Sequence, residues 1–123
     1  MMKTRKGYKV YPLTVAQKFH MYYAPHCPSL AVLNIGTSLT IEFELDWDEL
    51  KRAVNKAYER SEGMRVRFAK DKEGNYYQYI VKHEDQDIEF VDFSNGTMEE
   101  AEEAMKAWTR VPFKLEDTQL TRV

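Results

Sequence analysis

From residue 33 to residue 45 the chain alternates. Leu33, Ile35, Leu39, Ile41, Phe43 and Leu45 are apolar, Thr37 shares their parity, and Asn34, Gly36, Ser38, Thr40, Glu42 and Glu44 fall between them. A period of two sends these sets to opposite faces, so the segment predicts one long strand with a single buried face. The period then changes. Trp47, Leu50, Val54, Ala57 and Tyr58 lie along one side of a helix, with Asp46 placed to cap it and Glu49 three residues on. The pattern predicts a helix over 46–62, ended by a left-handed Gly63. Its apolar side is expected to pack on the face carrying Ile35, Leu39, Ile41 and Phe43.

The rest of the chain is punctuated in the same way. Thr14 followed by Gln17 is a capping-box pattern, and Val15, Phe19, Tyr22 and Tyr23 form a helical stripe that stops before Pro25. Met64, Val66 and Phe68 alternate with Arg65 and Arg67, and the polar turn KDKEGN leads into an aromatic and β-branched run at 76–81, a hairpin. Residues 88–93 read as a further strand. Thr97 with Glu100 opens another helix, with Met98, Ala101, Met105 and Trp108 inside, acids first, Lys106 and Arg110 near its end, and Pro112 closing it. Residues 119–123 read as a strand that must dock at a sheet edge or await more chain. The order helix, strand, helix, hairpin, strand, helix, strand predicts an α+β layer, with helices packed on a mixed or antiparallel sheet.

Composition narrows the function classes. The 123 residues are 43% hydrophobic and 13% aromatic, enough for one core, and no repeat or linker divides them. Eighteen basic against twenty acidic residues give a net charge of −2, which leaves no electrostatic footprint for nucleic acid or an anionic membrane. The cluster Lys3, Arg5, Lys6 and Lys9 is read as a solvated basic tail over 1–10, with the domain proper over 11–123. No apolar run approaches the roughly 18 residues of a membrane span, and the start lacks a signal-peptide core, so a cytoplasmic location is the default expectation. Cys27 is the single cysteine; with His20 and His26 it lacks the paired short spacings of a zinc site, and a loop thiol is the expectation. Tyr76, Tyr77 and Tyr79 lack the basic neighbours of a base-stacking platform and read as hairpin packing.

No phosphate loop, metal spacing or nucleophile elbow is present, so pattern alone stops at an α+β domain. Three segments go further. YPLTVAQ at 11–17, LDWDELKRAVNKAYERSEGMRVRF at 45–68 and PFKLEDTQLTRV at 112–123 resemble, in that order, the first part of a condensation domain of nonribosomal peptide synthesis. That family belongs with the chloramphenicol-acetyltransferase-like, coenzyme-A-dependent acyltransferases. Thr14, Ala16 and Gln17 fit its opening motif, while Phe19, His20 and Met21 replace its later positions. The family's Arg-His-Glu-x-Leu-Arg-Thr-x-Phe appears as Arg60, Ser61, Glu62, Gly63, Met64, Arg65, Val66, Arg67 and Phe68, with Ser61 and Val66 as departures. Its Pro-Phe-Asp-Leu and following apolar-x-Arg fit Pro112, Phe113, Leu115, Leu120 and Arg122.

The resemblance implies a partial N-terminal lobe of a chloramphenicol-acetyltransferase-like fold, ending before the motif His-His-x-x-x-Asp-Gly. No His-His pair occurs in the sequence, so no catalytic residue and no metal ligand is assigned. For a complete protein it implies acyl or peptidyl transfer from a phosphopantetheine or coenzyme A thioester to an amine or hydroxyl, in secondary metabolite biosynthesis. The expected partners are an acyl or peptidyl carrier protein and the other half of the domain. By itself the chain is expected to bind no cofactor, to be inactive, and to form homodimers or larger assemblies through exposed edges. Arg65 is the residue expected to support the active site by holding a carboxylate in a buried ion pair, with Arg60 and Gln17 as further support. A stand-alone interaction or dimerisation domain, or an alcohol or antibiotic acetyltransferase relative using free coenzyme A, remain alternatives.

Overall fold

A computed structural model describes residues 4–123. Its centre is a four-stranded antiparallel sheet of order β1-β2-β4-β3, built from β1 (Thr4–Arg5), β2 (Tyr8–Tyr11), β3 (Val66–Lys70) and β4 (Tyr76–Ile80). Three helices accompany it: α1 (Val15–Tyr23), α2 (Trp47–Arg60) and α3 (Met98–Thr109). The α+β class read from the sequence holds.

Local chemistry explains the helix starts. The Thr14 hydroxyl accepts from the Gln17 amide at 3.2 Å while the Gln17 side chain accepts from the Thr14 amide at 2.8 Å, and Thr97 and Glu100 repeat the exchange. Each pair satisfies two otherwise orphaned amides. At α2 the Asp46 carboxylate accepts from the Glu49 amide at 2.9 Å. The helix ends at Arg60, and Gly63 does not take the left-handed conformation predicted for it. Residues Glu62–Arg65 instead tighten into a single 3-10 turn that leads straight into β3.

The residues read as a basic tail form a hairpin from Thr4 onward; residues 1–3 lie outside the described residues. Lys6 and Gly7 have φ of 49° and 83°, the two positive angles of a two-residue turn whose twist matches its flanking strands. Tyr8 and Val10 point to one face with Lys9 between them, a short alternation that the surrounding charges mask in the sequence. Val10 then pairs with Tyr79, joining the hairpin to β4.

Register sorts the sheet's two faces. Arg67 stands opposite Tyr79 and Val10 opposite Tyr79, while Phe68 and Tyr11 both stand opposite Gln78. Directly opposed residues share a face. One face therefore carries Arg67, Ala69, Tyr79 and Val10, and the other carries Phe68, Gln78 and Tyr11. Tyr58, Phe68, Ala69 and Tyr79 are buried, with Leu13, Ala24 and Ile88 completing the core. Tyr58 and Tyr79 are each 1% exposed, and burying two such rings is among the larger favourable terms in a core of this size.

Three predicted strands do not form ladders. The 33–45 segment starts with a 3-10 turn at Leu30–Leu33 and continues without regular structure, leaving Ile35 fully exposed and Leu39 and Phe43 mostly so. Alternation specifies two faces but supplies no hydrogen-bonding neighbour, and none of the four strands offers this segment one. The helix side that was expected to cover it turns elsewhere. Trp47 meets Phe90 at 4.9 Å between ring centroids, Leu50 and Val54 are half-buried, Tyr58 is buried and Ala57 is exposed. Residues 88–93 likewise lack a ladder. Just before them, Asn55 on α2 donates to the Gln86 carbonyl at 3.0 Å and accepts from the Gln86 amide at 2.7 Å, so the backbone is fastened to a helix where a strand neighbour would otherwise stand.

Residues 119–123 do not form a strand either. The terminal segment meets the β3 edge through a single bridge between Phe68 and Glu116 and a 2.7 Å bond from the Asp117 amide to the Phe68 carbonyl. Side chains supply the remaining contacts: Arg122 lies over the Phe113 and Trp108 rings, at 4.1 and 5.3 Å, and donates to the Val111 carbonyl at 2.6 Å.

Candidate functional site

The face carrying Arg67 gathers most of the polar chemistry of the chain. Arg65 leaves the 3-10 turn just before β3, and each of the three nitrogens of its planar fork donates to a backbone carbonyl. Nε donates to the Tyr58 carbonyl at 3.0 Å, Nη2 to the Glu59 carbonyl at 3.2 Å and Nη1 to the Val81 carbonyl at 2.6 Å. Two of these acceptors belong to the last turn of α2, where unpaired carbonyls concentrate negative potential. Arg65 thus ties the end of α2 to the end of β4. Its partners are carbonyl oxygens, and no carboxylate lies in ion-pair range of it among the described residues.

The other two sequence-predicted residues stand apart. Arg60 is exposed at the end of α2 and makes no side-chain hydrogen bond or ion pair among the described residues. Gln17 is on the opposite face of the sheet from Arg67: its amide donates to Gln78 Oε1 at 2.8 Å, and Gln78 in turn donates to the Pro12 carbonyl at 2.9 Å. Gln17 therefore caps α1 and also pins that helix to β4. The structure does not bring Gln17, Arg60 and Arg65 into one cluster.

What it does assemble was not read from the sequence. Arg5 donates to Asp117 Oδ2 at 2.5 Å, and the Tyr79 hydroxyl donates to Asp117 Oδ1 at 2.6 Å. Asp117 holds φ at 55°, a left-handed conformation that aspartate tolerates. The Arg5 hydrogen bond and, after it, the Tyr79 hydroxyl hold the Asp117 carboxyl below the usual carboxylate range. Burial, followed by the same hydrogen bond, pushes the Tyr79 phenol up to about 12. Tyr8 stacks beside Tyr79 at 6.0 Å.

Next to this cluster runs a chain of amides. Gln119 and Gln86 exchange side-chain hydrogen bonds at 2.7 Å in both directions, Gln119 also donates to the Thr121 carbonyl at 3.0 Å, and Arg67 Nη2 donates to Gln119 Oε1 at 3.2 Å. A groove of about 500 Å³ opens here, lined by Lys6, Tyr8, Arg65, Arg67, residues 81–86 and Gln119. Across His83, whose Nε2 lies 3.0 Å from Asp85 Oδ1, a shallower hollow of about 590 Å³ follows the polar side of α2. No group of three His, Cys, Asp or Glu side chains is placed to hold a metal among the described residues, and no helix among them is long and apolar enough to cross a membrane.

With this geometry in place, the comparison with protein families is decisive: residues 8–123 match the family model described as condensation domain. The chain belongs to the condensation-domain family. The match starts at Tyr8 in β2 and runs through all three helices, so it takes in Gln17, Arg60, Arg65, Arg67 and Asp117. The family is generally known for amide and ester bond formation, and the α+β fold is consistent with its chloramphenicol-acetyltransferase-like architecture. No individual curated protein matches the chain. The condensation-family residues Phe113 and Arg122 acquire a physical link here, since one stacks on the other. Asp117 lies within the same motif, and its one local signal is its neighbourhood; Arg5, 112 positions away, gave none.

Proposed function

We propose that this condensation-family chain is the front part of an N-terminal lobe which, in a complete protein, serves acyl or peptidyl transfer from a phosphopantetheine-linked or coenzyme A thioester to an amine or hydroxyl. The observation carrying this reading is the family match over residues 8–123. The chemistry makes modest demands. A thioester is already activated, so the site has to align donor and acceptor, move one proton and steady an oxyanion. The chain contains no His-His pair, so the family's proton-transfer histidine is not among its residues. What its own residues do is position: Arg65 fixes the α2–β3 junction against β4, and Gln17 fixes α1 against the other side of the same strand. The substrate's carrier protein and the complementary half of the domain are the partners this reading requires.

A second reading is favoured by one observation. Ile35, Leu39, Phe43, Phe19 and Tyr22 are exposed apolar side chains, which suits an interaction domain that works through association. The experiment is to read the gene past codon 123 and assay the full product beside the 123-residue chain, using an acyl thioester on a carrier protein and an amine acceptor. We expect a His-His-x-x-x-Asp-Gly motif, product formation by the longer protein and none by the shorter. A stop codon directly after Val123, with no transfer by the natural product, would overturn the acyltransferase reading in favour of the interaction domain.

A further inference from the structure

We propose that the groove beside β3 is a binding site for a small oxyanion, a carboxylate or a phosphate, received by the guanidinium of Arg67. Arginines on this chain have their charge answered in different ways. Arg5 meets the Asp117 carboxylate, Arg65 meets three carbonyls at the ends of α2 and β4, and Arg122 lies on two aromatic rings. Arg67 is half-buried, and its two hydrogen bonds go to neutral acceptors, the Val66 carbonyl at 3.0 Å and Gln119 Oε1 at 3.2 Å. Neither acceptor sits at a helix C-terminus, as two of the Arg65 carbonyls do, and among the described residues no carboxylate pairs with this partly desolvated guanidinium, whose pKa burial lowers.

The surroundings are arranged for a ligand. Gln119 is locked by Gln86 and Thr121, so its carbonyl oxygen orients Arg67 and cannot rotate away. With two of five donors occupied, the guanidinium retains N–H groups for a bidentate contact, the geometry that matches carboxylate and phosphate oxygens. Lys6 and Lys82 line the same groove with Arg65 and Arg67, so its four cations outnumber the two exposed carboxylates that also line it, Glu84 and Asp85, the latter 3.0 Å from His83 Nε2. A volume of about 500 Å³ exceeds what one small anion fills, so the anionic group would be the anchored end of a larger molecule. The inference stands on these contacts and does not depend on acyl transfer.

The test uses the 123-residue chain, with sodium acetate and sodium phosphate as separate probes and ionic strength held constant with chloride. Binding is read from the thermal midpoint in every variant and, where Arg67 is retained, also from its side-chain N–H resonance. The expected result is a saturable response to at least one probe, weakened tenfold or more in Arg67→Gln and unchanged in Arg122→Gln. Acetate alone points to a carboxylate ligand, phosphate alone to a phosphorylated one, and a response to both to the shared oxyanion chemistry. Because Arg67 is an unanswered charge, Arg67→Gln should keep or raise the midpoint measured without probe. Should that variant fail to fold, Lys6→Gln with Lys82→Gln is expected to weaken binding several-fold. No saturable response to either probe, or a response in Arg67→Gln (or in the Lys6→Gln, Lys82→Gln chain that replaces it) equal to that of the parent, overturns the proposal.

Discussion

The Tyr79 hydroxyl and the Asp117 carboxylate meet at 2.6 Å across 38 positions of sequence, with Arg5 closing on the other carboxylate oxygen. Folding thereby favours an ionised aspartate and a neutral tyrosine, and each leaves a pH signature. The Asp117 carboxyl is held below its ordinary value, so its contribution is present above about pH 4, the unfolded value, and is lost as pH falls through the lower folded value. The Tyr79 phenol is raised to about 12, so its contribution is complete below about pH 10, the unfolded value, and disappears as pH rises toward 12. Urea midpoints should show a plateau between these limits with a fall on each side. Tyr79→Phe should flatten the alkaline arm, and an alkaline arm identical to that of the parent would detach Tyr79 from it.

Arg65 makes three hydrogen bonds that a lysine cannot reproduce, because one ammonium cannot span carbonyls on the α2 end and the β4 end together. Arg65→Lys should destabilise by about 1 to 3 kcal/mol, the range for losing charged hydrogen bonds to partly buried acceptors. Arg67→Lys, which gives up bonds to only two acceptors, should cost less. Urea denaturation with an unchanged m-value is the check; equal effects of the two substitutions would remove the brace role from Arg65.

Tyr58 is the buried anchor of α2, whereas Leu50 is half-buried on the same helix. Tyr58→Ala should therefore cost about 3 to 5 kcal/mol, in the manner of other large aromatic truncations, and Leu50→Ala should fall at or below about 2 kcal/mol, the low end for leucine. Thermal or urea unfolding of both variants measures the order. A larger loss at Leu50 would mean that the helix turns its other side to the core.

How much of this was legible depends on how far apart the interacting residues lie. Thr14 with Gln17, Thr97 with Glu100, and the turn between β3 and β4 are settled within a few residues, and sequence reading placed them well. The strand predicted at 33–45 rests on alternation that is present in the chain and the one at 88–93 on a short run after a polar loop, yet a ladder needs a second strand, and just before 88–93 Asn55 on α2 takes the backbone of Gln86. The family motif pointed to Arg60 and Arg65; Arg60 stands exposed at the end of α2, while Arg65 lines a groove with Arg67, which falls at an unspecified position of that motif. It could not show that Arg65 would be occupied by carbonyls, nor that Asp117 would receive Arg5, since those pairings exist only once the hairpin and the terminal segment have met the sheet.

Self-association is expected through the exposed 35–43 stretch and not through the chain end. The terminal segment at 119–122 is half-buried against β3, whereas Ile35, Leu39 and Phe43 are exposed on a stretch that keeps the alternation of a strand. Exposed backbone of β-forming composition pairs readily with another copy, and the polar set between those residues gives such a pair one apolar face to bury. Light scattering should show an average mass that rises with concentration across the micromolar range. Leu39→Lys combined with Phe43→Lys places charge on that face and should return the chain toward monomer, while Thr40→Lys, of opposite parity, should have the smaller effect. A mass that stays monomeric at every concentration, or a Thr40→Lys effect as large as that of the double variant, would mean the 35–43 stretch is not the contact.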